Sequence, residues 1–281
     1  MERTTMPQRD LTDLQYQRLA PLLPPVKPAR GRTNLQHRPI LEGILWIQRT
    51  GAPWRDLPVR YGNWKTVYSR FRRWTLLGVW AKVLLTLQNE AEANGSIDWN
   101  LHHVDSTSIR VHVDGAGARR ETLTPEQSAQ KQAIGRSRGG LTSKVHLRVE
   151  GKGRVMKLEL SQGHRHDSQL FEAVMVQEPL HGGRWGRPRH KPRRVVGDKA
   201  YLSSKLRQSL QNKGIGRVIP RKSNERRRGF FDKDAYKKRN IVERTIGHLK
   251  RWRRLATRYD KLKATFQAFW TLAIILQWLK H

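Results

Sequence analysis

The segment spanning residues 236–250 constrains this chain more than any other. Four of its side chains recur at steps of three, four and seven residues: Tyr236, Arg239, Glu243 and Lys250. At about 100° per residue, seven steps along a helix end within roughly 20° of two full turns. The four side chains therefore share one face if the segment is helical.

An apolar stripe runs beside that face. Val242, Ile246 and Leu249 recur at steps of four and three residues, which is typical of a helix packed on a core. The one carboxylate is set among cations, namely Arg239, Arg244, Lys250 and Arg251 around Glu243. A single carboxylate binds magnesium weakly, and metal-assisted phosphoryl transfer uses two or three, so further acids are expected upstream.

The net charge limits the partners of the chain. Of its 281 residues, 56 are Lys or Arg and 23 are Asp or Glu, which gives a formal net charge of +33. A folded protein this basic needs a polyanionic partner, and nucleic acid is the most common one. A packing role, as in ribosomal or chromatin proteins, is the alternative.

Composition also excludes several classes of protein. The chain has no Cys, which excludes thiolate zinc sites and disulfide scaffolds and is compatible with a reducing cytosol. Its amino terminus has no apolar signal segment. The longest apolar run, residues 266–279, is interrupted by polar side chains and is too short to span a bilayer, so it predicts a buried helix and no membrane partner.

The first 95 residues predict four helices. Thr12 begins the first with a capping box, and Asn63 caps the third, residues 64–77. The third helix carries a row of cations: Lys65, Arg70 and Arg73. A helix, a turn and a basic helix are typical of a DNA-reading module, with a plain helical bundle as the alternative. We therefore predict that residues 1–95 form a helix-turn-helix-like DNA-binding domain.

From residue 98 the apolar period changes to two, which predicts strands. A first strand contains residues 103–111, a hairpin turns at residues 150–153, and a short buried strand ends at Asp198. Helices and a fifth strand alternate after that point. The order predicts an α/β fold for residues 96–281, an RNase H-like domain with a mixed five-stranded sheet.

Isolated acids fall at matching places in this order. Asp105 lies in the first strand, Asp198 ends the fourth, and Glu243 belongs to the last helix of the series. The first and fourth strands are neighbours in such a sheet, so the acids approach one another. Like charges held this close need a cation, and two magnesium ions about 4 Å apart meet that need. Taken singly, each acid is also consistent with a cap, a turn or a partner for Arg239.

A His/Asp group and a tyrosine near the strands each have two interpretations. His164, His166 and Asp167 suggest a metal cluster, but a helix N-cap explains Asp167 better. Tyr201 lies three residues past Asp198, where its ring is a candidate to stack on an unpaired base. Packing beneath the sheet is the alternative for this tyrosine.

Short motifs along nearly the whole chain match one family. Residues 104–107 (Val-Asp-Ser-Thr) and 197–201 (Gly-Asp-Lys-Ala-Tyr) resemble its two aspartate motifs. Residues 53–58 (Pro-Trp-Arg-Asp-Leu-Pro) look like the hallmark of its amino-terminal domain, and residues 186–189 and 258–261 look like further family segments. The spacing of Tyr236, Arg239, Glu243 and Lys250 matches its Tyr-Arg-Glu-Lys signature. The chain thus resembles bacterial insertion-sequence transposases of the DDE superfamily, in insertion-sequence family five within the family-four clan.

The resemblance implies roles for individual residues. Asp105, Asp198 and Glu243 would hold two Mg²⁺ ions, for which Mn²⁺ substitutes. Tyr236, Arg239 and Lys250 would contact DNA phosphate at the transposon end. Other DNA contacts are expected from the remaining candidates: Tyr201, Lys65, Arg70, Arg73, Arg187 and Arg189.

The resemblance also implies an activity. Such an enzyme binds the terminal inverted repeats of its element, cuts there by metal-assisted hydrolysis and joins the freed 3′-hydroxyl to target DNA. Because both ends must be held together, a homodimer or larger assembly on double-stranded DNA is expected, in the cytoplasm at the bacterial nucleoid. A sequence-specific DNA-binding protein with an inactive RNase H-like fold and a general RNase H-like nuclease are the alternatives.

Overall fold

The computed structural model describes residues 11–26, 36–117, 132–181, 188–201, 203–221 and 231–280. Helices come first in the chain: α1 (Asp13–Leu19), α2 (His37–Thr50), α3 (Trp64–Leu76) and α4 (Val79–Ala93). Their predicted boundary signals are present. Thr12 and Gln15 form the capping box of α1, and the Asn63 side chain accepts from the Lys65 amide at the start of α3. Gly51 ends α2 with φ of 72°, a left-handed conformation that glycine adopts without strain.

Within the described ranges, seven strands form one mixed sheet. They are β1 (Leu101–Val111), β2 (Gly135–Ser137), β3 (Gly140–Val149), β4 (Val155–Gln162), β5 (Arg194–Val196), β6 (Gly216–Val218) and β7 (Thr257–Arg258). The long strand β3 lies antiparallel to β1 on one side and to β4 on the other. On its opposite side β1 pairs in parallel with β5, and β5 pairs in parallel with β6.

The predicted strand order is present in this sheet, although the predicted number of five strands is wrong. The order β4, β3, β1, β5, β6 contains the expected hairpin and places the first and fourth predicted strands side by side. The two additional strands are short. β2 adds to the end of β3, and β7 pairs with β1 through two residues. Neither strand is long enough to show an apolar period in the sequence. Each forms because a neighbouring strand is there to pair with it.

Helices accompany the sheet along the second part of the chain. They are α5 (Val113–Ala116), α6 (Phe171–Met175), α7 (Ser204–Asn212), α8 (Lys233–Lys237), α9 (Asn240–Leu249), α10 (Arg253–Ala256) and α11 (Lys263–Trp278). The segment 236–250 is therefore divided, since α8 ends before Arg239 and α9 begins after it. The N-cap predicted for Asp167 is also wrong, because the His166 side chain accepts from the Ser168 amide and caps that turn.

The sheet has a core on each face. One apolar cluster contains Val104, Phe171 and Leu206 and lies between the sheet and helices α6 and α7. The larger cluster contains Ile109 and Val145 together with the apolar faces of α9 and α11. Helices thus cover both faces of the strands. None of the helices in the described ranges is long and apolar enough to cross a membrane.

The larger core continues into the amino-terminal helices. The Phe269 ring on α11 lies 4.5 Å from the Phe71 ring on α3, and Gln48 on α2 donates to the Phe269 carbonyl at 3.1 Å. Trp54 also contacts Phe71 and Phe269. Helix α11, near the end of the chain, therefore packs against the amino-terminal helices α2 and α3.

This packing predicts a large effect of truncating Phe269. Its side chain is 0% exposed, and Phe269→Ala should lower the free energy of unfolding by about 3–5 kcal/mol because it leaves a cavity between α3 and α11. Leu76→Ala, at a side chain that is 63% exposed, is the control and should change it by less than about 0.5 kcal/mol. Denaturant unfolding measures both. Equal effects would contradict the shared core.

Candidate active site

Strand register brings two aspartates together. The last parallel pair between β1 and β5 is His103 with Val196. Asp105 lies two residues past this pair within β1, and Asp198 lies two residues past it, after β5 has ended. Val104 and Val195 are fully buried beneath the strands and hold the two strands together. The two aspartates are near enough that the charge of Asp198 raises the pKa of Asp105.

Glu243, the third acid, lies on α9 and is linked to Asp105 by Arg239. The Arg239 guanidinium donates from Nη1 to Asp105 Oδ2 at 2.9 Å and from Nη2 to Glu243 Oε1. Glu243 is four residues after Arg239, so both side chains project from neighbouring turns. Arg239 thereby joins α9 to β1. Within the described residues, no ion pair links Glu243 to the other three cations that flank it in the sequence.

The three acids influence one another electrostatically. Burial raises the pKa of Asp105 to about 6, while the Ser106 amide and the Arg239 guanidinium lower it. The negative charges of Asp198 and Glu243 raise the same pKa further. The positive charge of Arg239 therefore offsets part of the cost of keeping Asp105 ionised.

A metal site is not preformed by these side chains. Among the described residues, no group of three or more His, Asp and Glu side chains is placed to hold one metal ion. Arg239 lies between two of the acids and contacts both. The oxygen donors suit a hard divalent cation, but the guanidinium must leave before Asp105 and Glu243 can share one.

The other two signature residues flank this centre. Lys250 follows α9, its Nζ lies 3.5 Å from the Ser108 carbonyl of β1, and burial lowers its pKa. Tyr236 on α8 is half-buried and its ring contacts Phe231. In the chain both lie within about two helical turns of Glu243. Among the described residues, no ion pair joins Lys250 to any of the three acids.

Tyr201 is placed in the core. Its side chain is 1% exposed, and its ring lies 5.6 Å from that of Phe171 within the cluster under β1 and β5. Gly197 packs on the same ring, since a Cβ there would come within 3.1 Å of it. No face of Tyr201 is open to a base, so the packing alternative explains this residue.

The predicted basic contacts separate into different environments. Lys65 and Arg73 are exposed on α3, whereas Arg70 is buried against Trp74 and donates to His37. Desolvation by that burial lowers the pKa of Arg70. Two more candidates come from the basic loop. Arg189 is exposed and pairs with Glu92 at 3.5 Å, and Arg187 lies outside the described residues.

Other cations near Glu243 were only partly anticipated. Arg244 and His248 on α9, and Arg251 in the turn after it, line a groove with other basic residues that Glu243 does not line. Steps of four and three residues connect them in the sequence. That spacing is the signal that could have shown they share a face.

Two family models match the chain. The model described as a transposase DDE domain matches residues 103–278. The model described as a putative transposase of the IS4/5 family matches residues 11–84. The first match covers more than half of the sequence and includes all three acids. The chain belongs to the DDE transposase family.

Relatives of this transposase support the assignment. The putative transposase of insertion sequence element IS402 from Burkholderia cepacia is 32% identical over 135 residues, 48% of this chain and 61% of that protein. The putative transposase of element IS6501 from Brucella ovis is 28% identical over 144 residues, 50% of this chain and all of that protein. An uncharacterised protein, y4sN of Sinorhizobium fredii, is 40% identical over 112 residues, 39% of this chain and 83% of that one.

Solved structures give a weaker likeness. The Mos1 strand transfer complex is 11% identical, with coverage of 94% of this chain and 83% of that chain and a TM-score of 0.30. A TM-score this low does not establish a shared fold. The resemblance to insertion-sequence transposases is therefore confirmed by the family models and the sequence relatives.

The placement of Tyr201 in the transposase gives a testable outcome. Tyr201→Ala should lower the free energy of unfolding by about 3–5 kcal/mol because a buried ring is removed. Tyr201→Phe keeps the ring and should change it by less than about 1.5 kcal/mol. Chemical denaturation measures both. If Tyr201→Ala left stability unchanged but slowed cleavage of intact DNA ends, the result would support stacking of Tyr201 on a DNA base and contradict the packing role.

Proposed function

We propose that this transposase binds the terminal inverted repeats of its own element, hydrolyses the phosphodiester at those ends and joins the freed 3′-hydroxyl to target DNA. The placement of Asp105, Asp198 and Glu243 in one region of the molecule supports this proposal, because the charges of Asp198 and Glu243 both raise the pKa of Asp105. An inactive DNA-binding protein would not need three acids in one region, because their repulsion has a cost unless a cation is used there.

Two divalent cations would be held by these acids, Mg²⁺ with Mn²⁺ as a substitute. The contact of the Arg239 guanidinium with Asp105 and Glu243 supports a cation site at this point, since both carboxylates already face one positive charge. When bound, the metals stabilise charge on the attacking and leaving oxygens of a phosphodiester. The surrounding residues then bind and orient the DNA.

Arg239, Lys250 and Tyr236 would supply that binding. Arg239 has two carboxylate partners, and a DNA phosphate offers a planar guanidinium an equivalent pair of acceptors. Lys250 is half-buried and its only recorded acceptor in the described residues is a distant carbonyl. The Lys250 ammonium could therefore donate hydrogen bonds to a DNA phosphate beside it.

The amino-terminal helices would recognise the ends. We assign this role to residues 1–95, used in a helix-turn-helix-like manner, with residues 96–281 as the catalytic part. Lys65 and Arg73 are exposed on α3 and available to DNA, whereas Arg70 supports the helix from within. Because two ends take part in one reaction, a homodimer or larger assembly would form on the DNA.

Removing single carboxylates tests the chemistry. Asp198→Asn and Glu243→Gln should each slow cleavage of a labelled transposon end by at least about a hundredfold, because charge stabilisation at the reacting phosphate is lost. Binding of the same end, measured by gel shift, should persist. Asp234→Asn changes an acid on α8 that is 89% exposed, and it should cleave normally. Normal cleavage by Asp198→Asn would refute the assigned triad.

Arg239 should compete with the metal. In the absence of DNA, Arg239→Gln should bind Mn²⁺ at least about tenfold more tightly, because it removes a positive charge that contacts two carboxylates. The interaction between two unit charges about 4 Å apart near a protein surface is about 4 kcal/mol. Calorimetric titration measures the affinity. Arg251→Gln, an exposed cation beyond the same helix, should change it little. Weaker binding by Arg239→Gln would show that Arg239 supports the metal site instead.

A further inference from the structure

A groove with a volume of about 750 Å³ lies beside α9, away from the three acids. Its walls come from α9, from the start of α1, from α11 and from the turn between β3 and β4. We call it the α9 groove. None of the candidate site residues predicted from the sequence lines it.

The groove is lined with basic side chains from separate parts of the chain. They are Arg244, His248 and Arg251 from the α9 segment, Lys152 from the β3–β4 turn and Lys280 after α11. No Asp or Glu lines it among the described residues. In the same ranges, no ion pair with a carboxylate is recorded for Arg244, Arg251 or Lys280, and all three are exposed. Several cations held together without counterions favour a polyanion.

The charge of the groove favours a phosphate backbone over a protein helix as its occupant. Leu249 and Leu276 line the groove but are only 5% and 8% exposed, while Ile241 and Trp252 in the lining are partly exposed. An amphipathic helix would find some apolar surface there, but it would also need several carboxylates to match the basic side chains. A sugar-phosphate backbone presents a regular row of negative charges to these groups.

The position on α9 separates this groove from the reacting phosphate. Arg244 follows Glu243 by one residue, which is about 100° around the helix, and His248 continues the same side four residues later. Arg251 follows in the turn after α9 and also lines the groove. Arg239 and Glu243 face β1 instead. A duplex about two helix widths across can reach both sides of α9 at once.

We propose that the α9 groove binds the sugar-phosphate backbone of the DNA duplex whose scissile phosphate lies at Asp105, Asp198 and Glu243. It does so without reading sequence, at phosphates other than the one that reacts. This inference rests on the proposed function, because it takes the acids as the place where DNA is cut.

Salt dependence of binding tests the proposal in the full-length protein. The triple variant Arg244→Ala, Arg251→Ala and Lys280→Ala should lower the slope of log affinity against log salt by about 2 to 3, since each phosphate contact contributes about 0.9. Its preference for transposon-end DNA over random DNA should not change. The control triple variant, Arg193→Ala, Lys205→Ala and Arg217→Ala, removes the same charge at exposed sites outside the groove. Equal slopes for the two triple variants would overturn the proposal.

A proximity probe tests the position independently of energy. The chain has no Cys, so His248→Cys provides a single attachment point for an iron chelate that cuts nearby DNA backbone. We expect cuts at defined phosphates of a bound transposon end, displaced from the cleavage site, and none from the same chelate at Lys205→Cys, an exposed position on α7 outside the groove. The absence of cuts from His248→Cys on bound DNA would refute the groove. Failure of the unmodified protein to bind end DNA would instead refute the proposed function itself.

Discussion

Burial of the Asp105 carboxylate is the constraint on which the candidate active site depends. Asp105 is held on β1 by antiparallel pairing with Leu147 of β3, and the parallel pairing of β1 with β5 ends two residues before Asp105 and Asp198. Burial makes the negative charge on Asp105 more costly and raises its pKa to about 6. Arg239 relieves this cost by contacting two acids. Asp105 is 134 residues away from it in the chain, and Glu243 lies on the next helical turn. The break between α8 and α9 sets Arg239 at the very start of α9, from which its side chain reaches β1.

Sequence predicted the parts of this site that depend on local pattern. Alternating apolar residues identified β1 and the β3–β4 hairpin, and the acids at matching strand positions followed from that order. The spacing from Tyr236 to Lys250 identified the last helical segment, although not its interruption at Arg239. A seven-residue step is compatible with one helix or with two that are nearly aligned, so spacing alone cannot locate such a break.

Other features depended on neighbours that are distant in the chain. Tyr201 and Arg70 were expected to meet DNA, but Phe171 covers the first and His37 and Trp74 enclose the second. An aromatic ring or a long basic side chain can either pack or reach solvent, and only the tertiary structure decides between them. Asp167 is similar: it pairs with Lys144 at 2.9 Å, and His166 takes the capping role. β2 and β7 exist because β3 and β1 extend far enough to pair with them.

The distribution of charge around α9 completes the physical account. A chain with a net charge of +33 attracts DNA from any direction, yet cations placed against the acids would exclude the metal ions that those acids are proposed to hold. Arg239 is the cation that contacts two of the acids. Arg244, His248 and Arg251 instead project into the α9 groove, where they have no carboxylate beside them in the described structure. Their attraction for phosphate is therefore not cancelled within the protein. One short helix thus presents the Glu243 carboxylate toward Arg239 on one side and basic side chains toward the α9 groove on another, because about 100° of helical rotation separates neighbouring residues.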